Sequence, residues 1–111
     1  MNNYGRGRVV EYKITEELRA AGYFAVRTAG SKGLFDIIGY KDNELRLIQA
    51  KRIKAKKAKK KKGWITPKLQ EDENVKAFRS LKVPVGVTKE LWVFADRIGW
   101  ISKEVIHETQ E

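Results

Sequence analysis

Three polar residues stand where strands would more simply carry valine. Asp36 lies in the apolar run "LFDIIGY" (34–40), and Gln49 and Lys51 lie inside "ELRLIQAK" (44–51). An acid, an amide and an amine brought together could hydrolyse a phosphodiester. A divalent cation takes oxygen ligands. Asp36 can supply a carboxylate, Gln49 an amide oxygen and Ala50 a backbone carbonyl. Lys51 cannot bind the cation, but it can hold an attacking water or neutralise charge on a phosphate. A bound cation lowers the pKa of its water and offsets the charge of the transition state.

For this chemistry the chain must bring residue 36 to residues 49–51. Alternate residues of a strand share a face, so Leu45, Leu47, Gln49 and Lys51 line one side of the second run. "KDN" (41–43) reads as a hairpin turn, and a hairpin centred near 42 or 43 pairs residue 36 with about 49 or 50. "YFAVRT" (23–28) reads as an earlier strand and "AGSKG" as a loop, so these closely spaced strands predict an antiparallel meander. Ahead of them, residues 6–21 predict a helix. Val10, Ile14, Leu18 and Ala21 recur at helical spacing, and Gly22 supplies a stop. Glu11 falls about 20° beyond Leu18 on this wheel, at the edge of the stripe. It could point along the packing surface towards a cleft, although a solvated helix glutamate is the commoner role.

Further on, "ITPKLQEDENVKAFRSL" predicts a second helix. Thr66 would be its N-cap and Pro67 its first residue, with Glu71, Asp72 and Glu73 favoured by the helix dipole. Val75, Phe78 and Leu81 would face the core, and Pro84 would end it. "ELWVFAD" (90–96) and "GWISKEVI" (99–106) predict a final hairpin with "RI" at the turn, and "HETQE" a frayed tail. Trp64, Trp92 and Trp100 would pack the core or an interface, with at least two expected in the core.

The charge narrows the partners. The chain has 111 residues, with 24 Lys and Arg against 14 Asp and Glu, for a formal net charge of +10. This fits one domain, 1–111, whose hydrophobic fraction of 41% argues against global disorder. An excess of this size suggests a polyanion, most often nucleic acid. The lysines do not alternate with apolar residues as an interfacial helix requires, and no run is long enough to span a bilayer, so no membrane partner is expected. The absence of cysteine excludes disulfides, thiolate metal sites and a cysteine nucleophile, and it fits an intracellular protein. "RIKAKKAKKKKG" (52–63) is either a solvated loop within the domain or a polyanion contact. Repulsion among its lysines favours the second reading, because a polyanion would relieve it.

The pattern Asp36 … Gln49-Ala50-Lys51 resembles the D…(E/Q)xK signature of the restriction-endonuclease-like nuclease superfamily. Its setting, "GRGRVVEYKITEELRAAGYFAVRTAGSKGLFDIIGY", is similar to the N-terminal half of archaeal-type Holliday junction resolvases. The likeness is strong over residues 5–52 and continues more loosely to the "RIGW" hairpin. It implies an α/β fold of restriction-endonuclease-like type: a mixed, mostly antiparallel sheet of about five strands flanked by two helices. It also implies a metal-dependent endonuclease that resolves four-way DNA junctions by paired symmetric nicks, and hence a homodimer.

Residue by residue, the resemblance makes Glu11 and Asp36 metal ligands and Lys51 the catalytic lysine. Ser31 would position DNA or a water, and Arg27 would contact phosphate. Gln49 stands where these resolvases usually place glutamate. An amide can still ligate, but the site loses one negative charge, and the number of metals stays open. The implied cofactor is Mg²⁺, with Mn²⁺ as a substitute and no organic cofactor. Arg6, Arg8, Lys32, Arg52 and Lys54 are expected to bind DNA. So are Lys56, Lys57, Lys59, Lys60, Lys61 and Lys62. Two other readings stand beside this one: a nicking, flap or repair nuclease of the same fold, and a non-catalytic basic nucleic-acid-binding protein.

Overall fold

The computed structural model describes residues 3–28, 34–54 and 72–107, with the side chains described from residue 8 onward. Helix α1 spans Asn3–Ala20. Strands β1 (Phe24–Arg27), β2 (Ile37–Lys41) and β3 (Glu44–Ile53) follow. Helix α2 spans Glu73–Ser80, and β4 (Val87–Ala95) and β5 (Gly99–Ile106) complete the fold. The strands form one sheet in the order β1-β2-β3-β4-β5. β3 and β4 run parallel, and the other neighbours are antiparallel. This is the expected mixed, mostly antiparallel sheet with two helices. The parallel pair requires a crossover, and α2 lies on the connection.

The alternation of the strands divides the core between two faces. α1 lays Val10, Ile14 and Leu18 against Ala25, Ile37, Ile48 and Trp92. α2 lays Val75 and Phe78 against Leu47, Leu91, Val93 and Ile106 on the other face. Adjacent residues of one strand therefore serve different layers: Ile48 and Trp92 belong to the first cluster, Leu47, Leu91 and Val93 to the second. β4 is buried almost throughout, as a central strand covered on both sides must be. Gly39 lets α1 approach β2 closely, since a Cβ there would lie 3.0 Å from Leu18 Cδ1. Trp92 is buried and stacks edge-on with half-buried Trp100, as expected of two core tryptophans; Trp64 lies outside the described residues.

The end of α1 differs from expectation. Ala21 is exposed in the turn after α1 rather than on the buried stripe. The chain turns there through Gly22 at φ 91°, and Lys41 Nζ donates to the Ala21 carbonyl at 2.8 Å. The described part of α2 begins at Glu73, with Asp72 as its N-cap. The proposed start at Thr66 and Pro67, and Glu71, lie outside the described residues. The helix ends at Ser80, before Pro84, and Leu81 packs beside the second cluster as its C-cap.

Candidate active site

The two-residue turn at Asp42–Asn43 sets the register of the β2–β3 hairpin. Lys41 pairs with Glu44 and Ile37 with Ile48. One step further, Asp36 meets the segment 48–50. Its amide donates to the Ile48 carbonyl at 2.8 Å, and its Oδ2 accepts the Ala50 amide at 2.8 Å. One bond through its main chain and one through its carboxylate thus fix Asp36 against β3. Thr28 closes the other side, donating its amide to the Asp36 carbonyl at 2.8 Å.

Gln49 and Lys51 point to the α2 face, as the alternation predicted. Gln49 is only 4% exposed. Its Nε2 donates to the Leu34 carbonyl at 3.0 Å and the Asn74 carbonyl at 3.2 Å. Both partners are pure acceptors, so the amide nitrogen must lie on that side. Oε1 is left buried with no hydrogen-bond partner among the described residues. An orphaned buried acceptor is costly unless something beyond these residues satisfies it.

Lys51 Nζ lies 3.3 Å from Asp72 Oδ2. The other oxygen of Asp72 caps α2, accepting from the Asn74 and Val75 amides at 2.8 and 3.1 Å. Burial acts to raise the Asp72 pKa. The Val75 amide, the Lys51 ammonium and the Asn74 amide outweigh it and hold the carboxyl below its ordinary 3.8.

Glu11 approaches from α1 and lies at the edge of the packed face. Its Oε1 accepts from Arg27 Nε at 3.0 Å, and the Arg27 guanidinium sits 4.8 Å from the centre of the Tyr12 ring. Both residues act electrically on Asp36. Burial raises the Asp36 carboxyl above 3.8, and the nearby Glu11 charge adds to the rise. The Ala50 hydrogen bond, Lys51 and Arg27 oppose it without cancelling it.

A carboxylate just ahead of β2 and a neutral amide oxygen on β3 are the kinds of oxygen donor that a hard divalent cation takes. Among the described residues, no three His, Cys, Asp or Glu side chains gather into a metal cluster. The structure brings Asp36, Gln49, Ala50 and Lys51 together and sets Glu11 within electrostatic reach. Ser31 and Lys32 lie outside the described residues, as do Lys56, Lys57 and Lys59–Lys62. Of the remaining basic candidates, Arg6 lies in α1, Arg8 is half-buried there, and Lys54 is exposed just beyond β3. Arg52 is engaged with Asp96 at 2.5 Å.

The sequence marks Asp72 only as a residue that the helix dipole favours and gives no sign of its contact with Lys51. The signal for the cap was present in its type, since aspartate is a preferred N-cap. The Thr66-Pro67 pair offered a competing start.

A family model for the archaeal Holliday junction resolvase (Hjc) matches residues 2–96. Among solved structures, the chain is similar to Hjc, a Holliday junction resolvase from the archaeal hyperthermophile Archaeoglobus fulgidus. The TM-score is 0.53 at 18% identity, covering 96% of this chain and 80% of that one. At this identity the structural likeness speaks for the fold. No match is found among the curated proteins.

Proposed function

Because this chain belongs to the archaeal Holliday junction resolvase family, a family of junction-cleaving endonucleases, we propose that its active centre is the cluster of Asp36, Gln49 and Lys51, served by Mg²⁺. The observation that carries this reading is the pairing of a pinned carboxylate with an unsatisfied oxygen. Asp36 is held by the Ala50 amide at 2.8 Å, and the buried Oε1 of the adjacent Gln49 has no partner among the described residues. Asp36, Gln49 and the Ala50 carbonyl would hold the cation, with Glu11 joining if it leaves Arg27. When bound, the cation would make its water more acidic and stabilise charge on the phosphoryl oxygens.

The chain's own groups divide the remaining work. Lys51 presents an ammonium to the scissile phosphate or the attacking water. Asp36 and Gln49 are locked by backbone partners, so little reorganisation is needed when DNA arrives. Arg27 neutralises a neighbouring phosphate and balances Glu11 until then. Ser31 positions the DNA or a water. The lysines of 54–62, with Lys32, grip the backbone, joined by Arg6, Arg8 and Arg52. Such contacts carry no base information, so the four-way shape is what is recognised. Two symmetric nicks require two such centres, and a homodimer supplies them. Mn²⁺ can replace Mg²⁺ at oxygen ligands.

The test is a synthetic four-way junction run beside linear, nicked and flapped duplexes, with and without Mg²⁺, on a denaturing gel. Paired symmetric cuts in the junction alone, dependent on the cation, are expected. Preferential cutting of flaps or nicks would assign another nuclease of this fold. Binding without product would make the chain a non-catalytic nucleic-acid-binding protein.

A further inference from the structure

We propose that the first turn of α2 is a positioning device for the reaction, with Asp72 as its key residue; the inference rests on the reading of Lys51 and Gln49 given above. Two residues of β3 that share its α2-facing side end on this one turn. Gln49 donates to the Asn74 carbonyl at 3.2 Å, and Lys51 lies 3.3 Å from Asp72 Oδ2. The turn is itself stiff, because Asp72 Oδ1 receives two amides of α2. Its carboxylate therefore has one oxygen committed to the helix and the other turned to the lysine.

This arrangement solves a problem peculiar to lysine. Its ammonium rides on a flexible four-carbon stem with considerable rotamer entropy. A catalytic ammonium left to swing would occupy the productive position only part of the time. Asp72 restrains it through one of three N–H donors, leaving the others for a phosphate or water. The pair is partly exposed, with side-chain accessibilities of 22% for Lys51 and 34% for Asp72, so an incoming phosphate can reach the ammonium without dismantling the helix. At the other end, Lys89 secures α2. It is 1% exposed and donates to the Arg79 and Leu81 carbonyls at 2.7 and 2.6 Å. Phe78, fully buried, locks the helix to the sheet between these ends. The turn that aims Lys51 is thus held by the core rather than by the substrate.

Capping and aiming can be separated, because asparagine and serine cap helices about as well as aspartate. Asp72→Asn keeps the cap and removes the charge facing Lys51. Asp72→Ser keeps the cap and removes the second oxygen altogether. Both variants should melt within a few degrees of the unsubstituted protein and bind the junction with unchanged Kd. Their single-turnover cleavage rate should fall about tenfold or more, a loss in kcat alone.

A second readout needs no cleavage. In ¹⁵N-labelled protein without DNA, the Lys51 ammonium resonance should be sharp, then broaden or vanish in Asp72→Ser. Lys51→Ala serves as the reference arm. If Lys51→Ala cuts normally, the reading of Lys51 as catalytic fails. If Lys51→Ala is inactive while both Asp72 variants cut at full rate, the positioning role alone is overturned. An unchanged Lys51 resonance in Asp72→Ser overturns it as well, whether or not the protein cuts.

Discussion

Gln49 occupies the one site position where the resemblance predicts a different residue, and its contacts give a physical reason for the amide. The side chain has two duties that a carboxylate cannot share. Nε2 ties the Leu34 carbonyl to the Asn74 carbonyl, while Oε1 has no partner among the described residues. From sequence, Gln49→Glu looks harmless, since glutamate is the usual residue there and restores a negative charge. The structure adds a cost: a carboxylate would set an acceptor against two carbonyl oxygens. Gln49→Glu should lose about 2–3 kcal/mol of stability in divalent-free buffer, from two hydrogen bonds removed and not replaced. Added Mg²⁺ should recover part of it by binding the new charge. Urea unfolding with and without Mg²⁺ measures both effects, and equal stability of variant and parent would show that the Nε2 contacts carry no weight.

At the scale of elements, the site is a property of one hairpin and one helix start. The hairpin was legible in the sequence because a two-residue turn fixes register by counting, and Asp36 falls beside Gln49 and Ala50 as counted. The division of polar and apolar residues along β3 was legible for the same reason: a period of two leaves no choice of face. The start of α2 was not. Its cap depends on which of several oxygen-bearing side chains reaches the helix amides, and Asp72 does so on the described turn. Nor could sequence foresee that Lys51 would meet that cap, a contact set by where α2 packs rather than by local pattern. Likewise Ala21 fits the apolar spacing but falls past the end of α1. One consequence is open to measurement at this scale. Asp72→Ala removes the cap as well as the ion pair and should cost about 0.5–2 kcal/mol. Thermal unfolding checks it, and an unchanged melting temperature would mean that the cap does not hold α2.

Across the whole molecule, one sheet separates two helices, and the candidate centre lies at a strand end that both helices reach. α1 contributes Glu11, β1 contributes Arg27, the hairpin contributes Asp36, Gln49 and Lys51, and α2 contributes Asp72. The +10 charge suits such a centre to a nucleic-acid backbone. Replacing Lys54, Lys56, Lys57 and Lys59–Lys62 by glutamine should weaken junction binding and flatten its dependence on salt, since each phosphate contact adds to that slope. A slope that does not change would remove this segment from the DNA contact. The most direct trial of the account compares the parent protein with Asp36→Asn on one labelled four-way junction in Mg²⁺, reading binding on a native gel and product on a denaturing one. Retained binding with no product is the predicted result; cleavage at the parent rate would take Asp36, and the centre built around it, out of the chemistry.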